Sequence, residues 1–185
     1  LPGRLVLGSA DAGAPATYRQ AGRLLALLHA QTAITSNDYE RRENHKSLTW
    51  LSGPHRITPS AAGRLRAEVA SWPVPPAVLV PTHGDWQPRN WIVHDGVVSV
   101  IDFGRAALRP ALTDFARLAA QEFRRDPGLE AAFLDGYGAD PRERDAWHRT
   151  RVREAIATAA WSYQVGDERF EAQGHRMIAE ALAAS

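Results

Sequence analysis

His83-Gly84-Asp85-Trp86-Gln87-Pro88-Arg89-Asn90 lies between apolar runs, and a second carboxylate, Asp102, follows Asn90 by twelve residues in Ile101-Asp102-Phe103-Gly104. The run before the segment is Ala77-Val78-Leu79-Val80. After it come Trp91-Ile92-Val93-His94 and Val97-Val98-Ser99-Val100-Ile101, separated by Asp95-Gly96. Asp-Gly between two short apolar runs is a strong hairpin signal, because a two-residue hairpin turn needs positive φ and these residues tolerate it. The pattern places a carboxylate and an amide in one loop between strands, and a second carboxylate at the end of a hairpin. Oxygen ligands converging at strand ends suit a hard cation, and Mg²⁺ takes one or two carboxylates together with phosphates and water. Asn90 and Asp102 are then available to the metal, while Asp85 is left to accept a hydroxyl proton. That is the division of labour phosphoryl transfer needs.

Outward from this centre the pattern turns helical. Tyr18, Ala21, Leu24, Leu25 and Leu28 repeat at helical spacing and predict a buried amphipathic helix ending near Gln31. From Thr32 to Pro59 polar and charged residues dominate, and the expectation there is a short helix and loops. Thr58-Pro59 reads as an N-cap with proline at the first helical position, and Pro73 closes that helix after Trp72. Beyond Pro110 the helical period returns through Phe115, Leu118, Ala119 and Phe123, then through Leu129, Phe133 and Leu134. Asp140-Pro141-Arg142-Glu143 predicts the capped start of a long helix to Val165, and a last helix follows from about Asp167 to Leu182. The fold class is α+β, predominantly helical, with one small β-hairpin carrying the chemistry.

The composition excludes several classes. The chain has 185 residues, 44% hydrophobic and 23% charged, with 22 Lys+Arg against 21 Asp+Glu and a net charge of +1, which is the make-up of an ordinary globular protein. A dedicated nucleic-acid binder would carry a larger basic excess, so no nucleic-acid partner is expected. The absence of cysteine removes disulfides, zinc-thiolate sites and cysteine nucleophiles. No apolar run reaches the roughly 20 residues of a membrane span and no signal-peptide pattern opens the chain, so the expected location is cytoplasmic and away from membranes.

The spacing of His83, Asp85 and Asn90, followed by Asp102-Phe103-Gly104, resembles the catalytic loop and metal aspartate of kinases. In the form His-Gly-Asp-x-x-x-x-Asn it is similar to the aminoglycoside phosphotransferase and choline-kinase branch of protein-kinase-like folds. Gly22-Arg23-Leu24-Leu25-Ala26-Leu27-Leu28-His29 resembles the helix after the hinge of that branch, and Asp114-Phe115-Ala116-Arg117-Leu118 its downstream aspartate segment. The resemblance covers residues 1–125 well and the remaining helices loosely. It implies ATP and Mg²⁺ as cofactors, Asp85 as catalytic base, Asn90 and Asp102 as metal ligands, and Ile92 and Ile101 as the floor of the adenine pocket. It also implies His83 and Asp114 as structural braces of the loop.

Gly84 stands where protein kinases carry an arginine that reads activation-loop phosphate, and only eleven residues separate Asp102 from Asp114, too few for an activation loop. A small-molecule hydroxyl acceptor is favoured over a protein. Trp86, Gln87, Glu154 and Trp161 are candidate acceptor contacts, and Gln87 sits where many protein kinases have a lysine. On this resemblance residues 1–185 form the single C-terminal lobe of a kinase-like fold: a post-hinge segment and helix (1–31), a helical and loop insertion (32–76), a catalytic core (77–125) and a C-terminal helical subdomain (126–185). The N-terminal β-lobe, with its phosphate-covering loop and strand lysine, is missing. Self-association through the face that lobe would cover is a further expectation.

Other readings of the same residues stand beside these. Asp102 alone serves equally well to end a strand, and Asp114 to cap the helix after it. His83 and Asp85, with His94, Asp102 and Asp114, would suit a metallohydrolase. A kinase-like lobe that binds but does not transfer phosphate is the alternative from a different class. His29, His45, His55, His148 and His175 are isolated in the sequence and read as structural or solvated.

Overall fold

The computed structural model describes residues 2–183. Its elements in chain order are β1 (Arg4–Leu5), α1 (Pro15–His29), β2 (Ile34–Ser36), α2 (Tyr39–Ser52), α3 (Pro59–Ser71), β3 (Ala77–Thr82), β4 (Trp91–His94), β5 (Val97–Val100), β6 (Ala107–Arg109), α4 (Ala116–Ala120), α5 (Glu122–Arg125), α6 (Pro127–Tyr137), α7 (Arg144–Val165) and α8 (Glu168–Ala183). None of the described helices is long and apolar enough to cross a membrane. The chain divides into two compact units, Leu1–Ile34 with Val78–Arg142, and Thr35–Ala77 with Glu143–Ser185.

The first unit holds the hairpin. Strands β4 and β5 pair antiparallel in the register Trp91↔Val100 to His94↔Val97, and β1 adds to the outer edge of β4 through Arg4↔Val93 and Leu5↔Ile92. Asp95 and Gly96, with φ of 48° and 75°, make the two-residue turn that their sequence predicts. Separately, β3 pairs with β6, Val80 opposite Arg109 and Thr82 opposite Ala107. Helix α1 packs along α6. The core is aromatic: Tyr18 meets Trp91 edge to face, and Phe133 meets Phe115 and Phe123. These rings are buried, and burial of such side chains is the main stabilising term, about 1.5–3 kcal/mol for each large apolar one.

The second unit is a helical packing of its own. Leu51, Ile57, Ala62, Leu65, Val69, Val152, Ile156 and Ile178 form one buried cluster from α2, α3, α7, α8 and the loop before α3. Thr58 caps α3 through a bond from the Ala61 amide, and Pro59 takes the first turn.

Two helices depart from the sequence reading. Helix α2 runs for 14 residues where a short helix and loops are expected, because its buried face is polar: Glu40 accepts from Arg149 Nε at 3.2 Å and from Arg153 Nη2 at 2.7 Å, and Asn44 also pairs with Arg153. Apolar periodicity is silent where the inward residues are ion-paired. Helix α7 starts at Arg144 rather than near Asp140. The Glu143 side chain caps it by accepting from the Asp145 and Ala146 amides, while Asp140 is held by Arg142 instead.

Candidate active site

The segment 83–90 joins β3 to β4 and is held from several directions. Asp114, in the 3₁₀ turn before α4, accepts from the backbone amide of His83 through Oδ2 at 2.8 Å and from that of Gly84 through Oδ1 at 2.7 Å. His29, from the end of α1, places Nε2 3.1 Å from Asp114 Oδ2, and its Nδ1 lies 2.9 Å from the Tyr137 hydroxyl. The turn is therefore fixed by a chain running Tyr137, His29, Asp114 and the loop backbone. His83 is fully buried; its Nε2 bonds the Ile101 carbonyl at 3.0 Å and its Nδ1 accepts from the Asp85 amide at 3.3 Å. With both ring nitrogens engaged by the chain, His83 has none left for a metal, which removes the first ligand of a metallohydrolase. Among the described residues no group of three or more His, Asp or Glu could hold a metal ion.

Gly84 is required at its position on two counts. Its φ is +79°, and a Cβ there would lie 2.5 Å from the Arg105 carbonyl oxygen and 2.7 Å from Arg109 Nη1.

Asp85 is the centre of the constellation. Its carboxylate is 3% exposed and receives Gln87 Nε2 on Oδ1 at 2.5 Å, Arg89 Nη2 on Oδ2 at 2.6 Å and Asn90 Nδ2 on Oδ2 at 2.9 Å. Arg117, from α4, forms an ion pair with Oδ1 through Nε at 3.0 Å. Burial pushes the Asp85 carboxyl up, but the hydrogen bonds from Arg89 and Asn90 and the charge of Arg117 outweigh it and hold the group below its ordinary value. At neutral pH Asp85 is a buried, ionised acceptor.

Asn90 also donates to the Asp85 backbone carbonyl at 2.8 Å, so its amide nitrogen is fully used on Asp85, and its backbone carbonyl accepts from the Ile101 amide at 3.0 Å. That bond ties the end of the loop to the residue before Asp102. Asp102 is exposed and sits in left-handed backbone at φ 64°, ψ 64°, with its Oδ1 bonded only weakly to the Gly104 amide at 3.4 Å. A non-glycine residue in this region stores about 1–2 kcal/mol of strain, and such strain gathers at functional positions.

The remaining candidates fall into two groups. Ile92 lies partly buried on β4 opposite Ser99 and Leu5, and Ile101 sits at the hairpin end between Asn90 and His83. Trp86 is buried against His83 and Trp91, so it packs the loop from inside. Glu154 and Trp161 belong to α7 in the second unit, where Trp161 meets Phe170 edge to face. Two residues escaped the sequence reading: Arg89 and Arg117, which both pair with Asp85. His29, read there as structural or solvated, is structural and part of the brace. Arg89 at the fourth position after Asp85 is the one signal the sequence offered.

The brace also sets a response to alkali. Burial, reinforced by the charges of Asp114 and Asp140, pushes the Tyr137 hydroxyl up to about 12 from 10.0. A group held protonated by folding contributes stability that is complete below its unfolded pKa and lost as pH rises through the folded one. The urea midpoint should therefore fall between about pH 10 and 12, and Tyr137→Phe should make that fall shallower. Identical alkaline slopes in the two proteins would remove Tyr137 from the titration.

Comparison with known proteins gives the following. The family model described as "Phosphotransferase enzyme family" matches residues 1–152. No curated protein sequence matches. Among solved structures, choline kinase LicA from Streptococcus pneumoniae superposes with a TM-score of 0.66 at 14% identity, over 92% of this chain and 64% of that one. A thermostable mutant of aminoglycoside phosphotransferase APH(4)-Ia gives 0.71 at 13% identity, over 98% and 69%. Spectinomycin phosphotransferase APH(9)-Ia, in complex with ADP and spectinomycin, gives 0.60 at 13% identity, over 97% and 65%. The chain thus shares the fold of these proteins and spans about two thirds of their length.

Proposed function

Because the chain belongs to the phosphotransferase enzyme family, we propose that it transfers the γ-phosphate of ATP to a hydroxyl of a small molecule, with Asp85 as the base, as the C-terminal lobe of a kinase-like fold. The observation that carries this reading is the Asp85 carboxylate, buried, ionised and bonded to Asn90 within a loop that Asp114 holds in shape. A base of this kind must lie about 2.6–3.2 Å from the hydroxyl oxygen whose proton it removes, and a rigid loop supplies that positioning. ADP in the APH(9)-Ia complex supports ATP as the donor.

The oxygen donors fit Mg²⁺. The nitrogen of Asn90 is spent on Asp85, leaving its amide oxygen as the free acceptor, and Asp102 presents an exposed carboxylate one residue beyond Ile101. Asn90 and Asp102 would hold the ion, whose positive charge would offset that of the nucleotide's phosphates. Ile92 and Ile101 are proposed to floor the adenine, and Gln87 orients the Asp85 carboxylate through its 2.5 Å bond.

The test is ADP release by the chain with Mg-ATP against choline, spectinomycin, an aminoglycoside and glucosamine. Acceptor-dependent release is expected, with Asp102→Asn raising the Mg²⁺ needed for half-maximal rate at least tenfold. No release with any acceptor, and no Mg-ATP binding by calorimetry, would overturn the reading.

A further inference from the structure

We propose that Arg89 is a latch on Asp85, and that the acceptor hydroxyl binds by displacing it from Oδ2. The inference rests on Asp85 being the base that takes the acceptor's proton. A carboxylate offers about four lone-pair directions on its two oxygens. Here four donors are already present: Gln87 Nε2 and Arg117 Nε at Oδ1, and Arg89 Nη2 and Asn90 Nδ2 at Oδ2, all within 3.0 Å. With its carboxylate almost wholly buried, Asp85 has no side from which a hydroxyl can approach while all four remain. One of them has to leave before a proton can be passed at hydrogen-bond distance.

The structure ranks the four. Asn90 is buried and bonds both the side chain and the backbone carbonyl of Asp85. Gln87 is buried two residues from Asp85. Arg117 reaches in from α4 and touches with Nε, so the whole guanidinium would have to retreat through a side chain that is only 21% exposed. Arg89 touches with one terminal nitrogen, its side chain is 51% exposed, and it makes no other hydrogen bond or ion pair among the described residues. A long, half-exposed side chain held by one contact regains rotamer freedom and hydration when it lets go, and such pairs contribute little net free energy.

Once Arg89 has swung away, Oδ2 keeps its bond from Asn90, and Oδ1 keeps Gln87 and the charge of Arg117. The carboxylate stays in place, with its vacated lone pair facing the solvent side that Arg89 occupied. The acceptor O–H enters there. Its proton passes to Oδ2 as the new O–P bond forms, and ADP departs with the electron pair of the broken β–γ bridging P–O bond. Arg89 therefore marks where the acceptor hydroxyl sits.

The test uses the full chain and two readouts. In the first, carboxyl coupling by a water-soluble carbodiimide with glycinamide is followed at Asp85 by peptide mass spectrometry at fixed pH, with exposed Asp102 as the internal standard. Asp85 should couple slowly in the wild type and at least tenfold faster in Arg89→Met, with Arg89→Gln as a second variant and melting within about 2 °C of wild type as the check on folding. Unchanged coupling at Asp85 in folded variants overturns the latch. The second readout is steady-state kinetics. Arg89→Met should lower the acceptor KM several-fold, whereas a KM that stays or rises is the signature of a purely structural Arg89 and overturns the proposal. If the wild-type chain phosphorylates none of the acceptors, the phosphotransferase reading falls, and coupling at Asp85 still decides the latch.

Discussion

Asp85→Asn is expected to lower turnover by about 10²–10⁴-fold, the range for losing a positioned general base. The substitution is nearly isosteric, so the loss comes from charge and proton affinity rather than from shape. Its effect on Mg-ATP affinity should be small, because the residues assigned to the metal and the adenine are others. One side effect follows from the geometry: an amide has one accepting oxygen where the carboxylate has two. Either Gln87 and Arg117 or Arg89 and Asn90 would face an NH₂ group, and two guanidiniums would lose their counter-charge. Melting should therefore drop by a few degrees alongside the rate. kcat at saturating Mg-ATP and Mg-ATP affinity by calorimetry, measured on the same preparation, separate the two effects. Near-normal turnover would remove Asp85 as the base.

Asp114→Ala is the largest expected loss of stability. The carboxylate satisfies the amides of His83 and Gly84 and the ring of His29, all buried or partly buried. Each donor left without an acceptor costs about 1–3 kcal/mol, and the sum, allowing for some rescue by water, is about 3–5 kcal/mol. At about 2–4 °C per kcal/mol for a chain of this length, the melting temperature should fall by about 10 °C. A helix cap lost to alanine costs only about 1 kcal/mol. The drop in melting temperature thus chooses between the two roles the sequence left open: a fall of 3 °C or less would make Asp114 a cap. Asp114→Asn should lie between, since its amide keeps one accepting oxygen for the loop.

What was legible in the sequence was local. Asp95-Gly96 specified the hairpin and Thr58-Pro59 the start of α3, because turn and cap chemistry act over a few residues. The spacing of His83, Asp85, Asn90 and Asp102 marked out the candidate site, since those residues share one loop and one hairpin. What the sequence withheld depends on partners far along the chain. Arg117 approaches Asp85 only after α4 is placed, and His29 lies 85 residues from Asp114. The polar face of α2 hides in the same way, its Glu40 waiting for Arg149 and Arg153 more than a hundred residues on. At the start of α7 the sequence pointed to Asp140 as the cap, but Arg142 takes Asp140 for itself and the Glu143 side chain caps the helix instead.

The brace from Tyr137 through His29 to Asp114 has a temporal side. Its bonds join residues separated by 31, 85 and 108 positions, so no short stretch of the chain can assemble it. Closing such loops is entropically slow, and local helices and the hairpin form well before them. On the ribosome, a nascent chain that has released the whole segment 83–90 still lacks the tyrosine that anchors the brace. The segment 83–90 therefore gains its full brace only after residue 137 has emerged and folded back.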